Sequence, residues 1–183
     1  MGDFSKKGDF VESAIYREES PKLAIGLSGS YNDNAQRARG QLGNFLYETR
    51  DLSTLEADFM FKYQGFSAMG EAALRDTRNP ITTDLESLES EYAYKGKGWS
   101  AQAGYMFKSN WELAARVSDL HPDREIQSMT DRQTDYTVAV SKFWVGHKLK
   151  VQGDLTYSQK SAYVSSRSGA NLLIARITTN MNF

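Results

Sequence analysis

At 183 residues the chain has room for one ordinary domain with its own core. Its 22 Lys+Arg against 23 Asp+Glu leave a formal net charge of -1, without the basic field of nucleic-acid binders, and the absence of Cys removes disulfide staples and thiolate metal sites. With a mean hydropathy of -0.57, no apolar run approaches the ~20 residues of a membrane helix. One membrane class stays open, because barrel strands are apolar on one face only and average out as polar.

The opening "MGDFSKKGDFVES" has no apolar stretch of the kind a signal peptide requires, so we expect a cytoplasmic chain, a mature form or a fragment. Residues 1–20 read as an N-terminal, periplasmic-side segment ahead of the first strand. "PKLAIGLSGSY" then sets Leu23, Ile25, Leu27 and Tyr31 at a period of two. "LEADFMFKYQGFSAMGEAALR" is a hairpin: Leu55, Ala57, Phe59, Phe61 and Tyr63 share one face, Gln64-Gly65 turns the chain, and Phe66, Ala68, Gly70, Ala72 and Leu74 return. "WSAQAGYMFKSNWELAARV" repeats the pattern around Ser109-Asn110, and "DYTVAVSKFWVGHKLKVQGDLTY" repeats it around Gly146-His147. The closing "NLLIARITTNMNF" alternates up to Phe183. About eight strands follow, near 21–32, 54–64, 66–75, 97–108, 111–119, 134–144, 148–157 and 170–183. Short turns alternate with long polar loops near 33–53, 76–96, 120–133 and 158–169; within the second, "TDLESLESEYAY" allows a turn or two of helix through Asp84, Leu85, Leu88 and Glu91.

The expected fold is therefore an all-β, antiparallel up-and-down barrel spanning 21–183. Alternation alone does not say whether its apolar face meets a core or lipid. Aromatic placement favours lipid. Tyr63, Phe66, Tyr105, Phe107, Trp111, Trp144 and Phe183 gather at the short-turn end, and Tyr31, Trp99, Tyr136 and Tyr157 towards the long loops. Between these belts lie mainly Leu, Val, Ala and Gly, as in a transmembrane barrel with an interfacial girdle at each end. Strands of ~10–12 residues suit a tilted crossing, and short turns at one end with long loops at the other suit an outer-membrane protein.

Three segments, "GDFVESAIYREESPKLAIGLS", "QAGYMFKSNWELAARVSDLHPD" and "YTVAVSKFWVGHKLKVQGDLTY", resemble the C-terminal half of the phosphate-selective porin O and P family. The resemblance runs from Gly8 to Phe183 and is most specific at Asn110–Arg116 and Gly146–Lys150. It implies a bacterial outer-membrane location, a sixteen-stranded trimeric barrel and passage of anions, phosphate among them. This chain supplies about half such a barrel, so it is either a complete eight-stranded relative or half of a larger porin. The final aromatic resembles the signal by which the barrel-assembly machinery reads a last strand, with Met181 and Thr178 departing from the usual pattern.

On the polar parity Arg116, Lys148 and Lys150 are the foremost candidates for an anion path, since they lie in the most specific segments; Lys62, Arg75 and Arg176 join them. Glu56, Asp58, Glu71, Glu112 and Asp154 share that parity, so cross-strand pairing in a wet interior is the competing explanation. His121 and His147 lack ligand spacing, "SGS" at 28–30 is not a nucleophile elbow, and neither a metal motif nor a phosphate-cradling glycine loop occurs. We expect no enzyme, cofactor, metal or nucleic-acid partner. The expected partners are outer-membrane lipid, the assembly machinery and, in a full porin, two further copies. The rival expectation is a soluble, lipocalin-like eight-stranded barrel holding a small apolar ligand.

Overall fold

The computed structural model describes Phe10 and residues 13–146, 148–163 and 169–181. Eight strands form one antiparallel sheet: β1 (Lys22–Arg37), β2 (Phe45–Tyr63), β3 (Phe66–Asp76), β6 (Gly96–Met106), β7 (Trp111–Pro122), β8 (Arg132–Val145), β9 (Leu149–Ser161) and β10 (Ala170–Met181). Their order in the sheet is their order in the chain, the up-and-down arrangement expected. A separate small hairpin, β4 (Ile81–Thr83) with β5 (Ser90–Tyr92), lies in the connection between β3 and β6.

The short connections follow from turn chemistry. Gln64 and Gly65 take φ of 47° and 89°, the paired positive values of a type I′ turn. A Cβ on Gly65 would sit 2.6 Å from both the Arg17 guanidinium and the Met106 carbonyl. Gly65→Ala is therefore expected to lower the unfolding free energy by about 1–2 kcal/mol from left-handed backbone strain alone, read by urea titration.

Two loop expectations need correction. The stretch 33–53 is mostly strand: β1 runs to Arg37 and β2 begins at Phe45, leaving a tight tip at 38–44. Backbone pairing and polar links hold it, with the Asn34 N–H donating to Asp51 Oδ1 at 3.0 Å and the Thr49 hydroxyl to Asn34 Oδ1 at 3.1 Å. Register shifts around Ala35, with Asn34 at φ 52°, bend the extension. Its polar composition hid it, because most of its side chains lie in water and leave little alternation to detect. The helical turns allowed over 83–94 are replaced by the β4–β5 hairpin. There Asp84 accepts from the Ser87 hydroxyl at 2.7 Å and the Glu86 N–H at 3.2 Å, an Asx turn that competes with helix. Those bonds hold its carboxyl below the ordinary range.

Burial is inverted relative to a soluble barrel. On the strands part of the polar parity is covered, with Lys62 at 1 % exposure and Ser141 at 3 %, while Asp58, Glu71 and Arg116 of the same parity stay exposed; on the other face Val138 and Leu113 are each 54 % exposed. The polar face is concave: Gln102 on β6 and Arg176 on β10 line the same small cavity although three strands lie between them. Among the described residues one buried apolar cluster, Ala35, Leu52 and Ala93 with Leu46 against it, fastens the β1–β2 extension to the β5–β6 connection. Backbone bonds from Tyr94 to Ala38 (2.7 Å) and from Ala93 to Pro80 (2.8 Å) fix this joint.

Candidate functional site

The concave wall is ordered in rungs by the strand register. One rung runs Asp58–Glu71–Ser100–Ser118–Asp135–Ser158 across β2 to β9 and carries three carboxylates without a base. Asp58 stands directly opposite Glu71, a like-charge pair that is unfavourable in a sheet; Glu71 accepts from the Ser100 hydroxyl at 3.0 Å. Two residues nearer the short turns, the next rung runs Met60–Met69–Gln102–Arg116–Thr137–Thr156 and carries Arg116. The rung below pairs Ala139 with Asp154 and Asp154 with Arg176. Acid and base are thus layered along the wall.

Three of the six anion-path candidates converge. Arg116, Lys150 and Arg176 line one cavity of about 110 Å³ with Gln102, Ser141, Gln152 and Thr156. Arg116 is exposed on the wall. Lys150 donates to Gln152 Oε1 at 3.1 Å and lies 5.7 Å above the Phe143 ring, while Arg176 faces Asp154 at 3.8 Å. The cavity therefore holds hydrogen-bond donors on three strands around partly neutralised charge, an arrangement able to pass or briefly hold an anion.

The other three lie elsewhere. Lys148 is exposed in the turn between β8 and β9, its N–H donating to the Val145 carbonyl, and stands off the wall. Arg75 sits towards the long loops and donates from Nε to Thr54 Oγ1 at 3.0 Å. Lys62 is enclosed: its ammonium donates to the Ser13 carbonyl at 3.3 Å, and the Ser13 hydroxyl donates to Glu112 Oε2 at 2.7 Å. Residues 13–18 thereby cross the short-turn end of the concave face. The Glu18 carbonyl accepts from the Gln64 N–H at 3.0 Å, and Arg17 donates to the Met106 carbonyl and reaches the Tyr105 hydroxyl at 3.3 Å. Nothing in the polar sequence before residue 21 signalled this docking.

On the convex face, Tyr63, Phe66, Tyr105, Phe107, Trp111 and Trp144 are all exposed at the short-turn end. Tyr31, Trp99, Tyr136 and Tyr157 are exposed nearer the long loops. Phe183 and His147 lie outside the described residues. Tyr105 and Phe107 meet edge to face at 5.1 Å. Lys142, which sequence reasoning missed, lies 5.4 Å over the Trp111 ring and donates to the Ser109 carbonyl at 2.7 Å, its stem along the apolar face and its charge towards the turn. The band between the belts is Ala103–Ala115–Val138–Leu155–Ala175, one register line of small and aliphatic residues.

Above the wall, Lys95 bridges Glu125 at 2.7 Å and Asp76 at 3.1 Å, and these carboxylates raise its ammonium above the usual value. Burial pushes the Tyr94 phenol up to about 12. Among the described residues no group of His, Cys, Asp and Glu is placed to hold a metal. No protein-family description, curated protein or solved structure matches the chain.

Proposed function

We propose that this chain is the lipid-facing wall of a bacterial outer-membrane porin, passively passing small anions along its concave face. One observation carries the proposal: large apolar side chains stand exposed along the convex face, while the buried side chains of the strands are mostly polar ones of the other parity, Lys62, Glu112 and Ser141 among them. In a soluble lipocalin-like barrel the aliphatic residues would line the interior, and charged ones such as Lys62 and Glu112 would face solvent. Exposed aromatic belts flanking an Ala/Val/Leu band support the same orientation. So does Lys142, whose placement over Trp111 suits an interface where the stem stays apolar and the charge reaches water.

Inside lipid, the free hydrogen-bonding edges of β1 and β10 must find partner strands. The exposure of Arg116, Asp58 and Glu71 on the concave face favours a wide, water-lined lumen over a bore filled by side chains. We therefore propose closure with further strands, as the resemblance to a sixteen-stranded trimeric porin implies, with β10 as the strand offered to the assembly machinery.

Planar-bilayer recording of the closed barrel tests the anion path. The channel is expected to prefer anions, and Arg116→Ala to reduce that preference. Two unit charges 4 Å apart in water interact by about 1 kcal/mol, so the permeability ratio should fall up to roughly five-fold. A channel that prefers cations, or one whose selectivity ignores Arg116, contradicts the assignment.

A further inference from the structure

We infer, on the lipid-facing orientation proposed above, that the convex face carries a docking site for one anionic phospholipid. Lys142 at the short-turn rim takes the phosphate, and a groove further along the face takes an acyl chain.

A charge stands where the alternation calls for an apolar residue. On β6 to β9, the convex parity from Trp111 up to Tyr136 and Tyr157 carries a single charged side chain, Lys142. A cation on a lipid face is costly, and ionisable residues there ordinarily mark a functional site. Among the described residues Lys142 has no carboxylate partner. It donates to the Ser109 carbonyl at 2.7 Å and lies 5.4 Å over the Trp111 ring, which holds the charge level with the β6–β7 turn. An ammonium has three donors, so capacity remains for a phosphate oxygen. Exposed Lys108, in the same turn, adds a second ammonium at the rim. A phosphodiester at headgroup depth supplies the missing negative charge and only accepts hydrogen bonds.

A groove of about 680 Å³ opens on the same face. Ala101, Ala103 and Ala115 floor it, Phe59 walls one side, and Tyr136 and Val138 wall the other. The shape follows from register, which sets Ala103 against Ala115 and Ala115 against Val138. Phe59 leans over its register partner Gly70, where a Cβ would meet the ring at 2.6 Å. Val138 lies four residues from Lys142 on the same face of β8, ~13 Å along the strand. That is within the ~15 Å spanned by the chains of one leaflet, half of a ~30 Å hydrocarbon layer, so one molecule reaches both features. A second copy of the chain meets only one of them. Its own convex parity offers no carboxylate between the belts, among the described residues, to face Lys142.

The full chain carrying Trp99→Phe and Trp144→Phe keeps Trp111 as its one tryptophan, a reporter beside Lys142. Reconstituted in phosphatidylcholine vesicles, it is titrated with phosphatidylglycerol or phosphatidylcholine bearing brominated acyl chains. Phosphatidylglycerol is expected to quench Trp111 at a mole fraction at least five-fold lower. Lys142→Gln should abolish that preference. Ala115→Leu, at an exposed position on the groove floor, should reduce it at least three-fold with Lys142 intact. Equal quenching by the two lipids, or a preference that survives either variant, overturns the site and leaves the orientation standing. Quenching that falls as copies per vesicle rise puts a second copy in the groove and also overturns it. A Trp111 quenched by neither lipid contradicts the lipid-facing orientation itself.

Discussion

An arginine in place of Val138 is expected to cost about 2–4 kcal/mol of folding free energy in a bilayer, the penalty for a cation on a barrel's lipid face near the midplane. Val138 is 54 % exposed and registers with Ala115 and Leu155 in the middle of the aliphatic band, so it has no packed pocket for the larger side chain to disrupt. In a soluble protein the same exchange at an exposed strand position would stay within about 0.5 kcal/mol. Reversible urea unfolding from lipid vesicles reads the difference directly. Thr134→Arg, nearer the long loops, gives up the Thr134 hydroxyl bond to Asp119 but sets its cation beside that carboxylate, and should cost less than Val138→Arg because the lipid penalty falls towards the interface. A Val138→Arg protein as stable as the parent in lipid would contradict the outward orientation of this face.

Removing the Lys62 side chain is expected to be nearly as damaging for the opposite reason. Lys62→Ala should lower the unfolding free energy by about 3 kcal/mol, since it deletes a buried stem and a charged hydrogen bond together. Lys62 is 1 % exposed, and its ammonium holds the Ser13 carbonyl and through Ser13 is joined to Glu112 on β7. Lys148→Ala, in an exposed turn, should change stability by no more than about 0.5 kcal/mol. Urea unfolding of the two variants side by side measures the contrast, and equal losses would show that residues 13–18 do not brace the short-turn end.

That contrast marks the limit of what alternation can reveal. The eight strands, their order and the Gln64-Gly65 turn were legible because a period of two and a positive-φ turn are local properties. Alternation placed Lys62, Lys148 and Arg116 on one parity, and only the resemblance set Arg116 and Lys148 ahead of Lys62. Their fates separate only in three dimensions, where one is sealed under Ser13, one sits in a turn and one faces the cavity. The β1–β2 extension escaped notice because its polar residues satisfy pairing without burial. The docking of Tyr94 escaped because the cluster of Ala35, Leu52 and Ala93 joins the β1–β2 extension to the β5–β6 connection, far away in the chain.

The convex face as a lipid wall is the claim on which the rest depends, and the Cys-free chain suits a direct measurement of it. Single cysteines placed at each position from Tyr136 to Ser141, labelled with an environment-sensitive fluorophore after reconstitution in vesicles, should alternate. Labels at Tyr136, Val138 and Val140 should be quenched by brominated lipid, and labels at Thr137 and Ala139 by aqueous iodide, with the covered Ser141 reached by neither. Labels quenched by iodide at all six positions, or lipid quenching at the Thr137 parity, would contradict it.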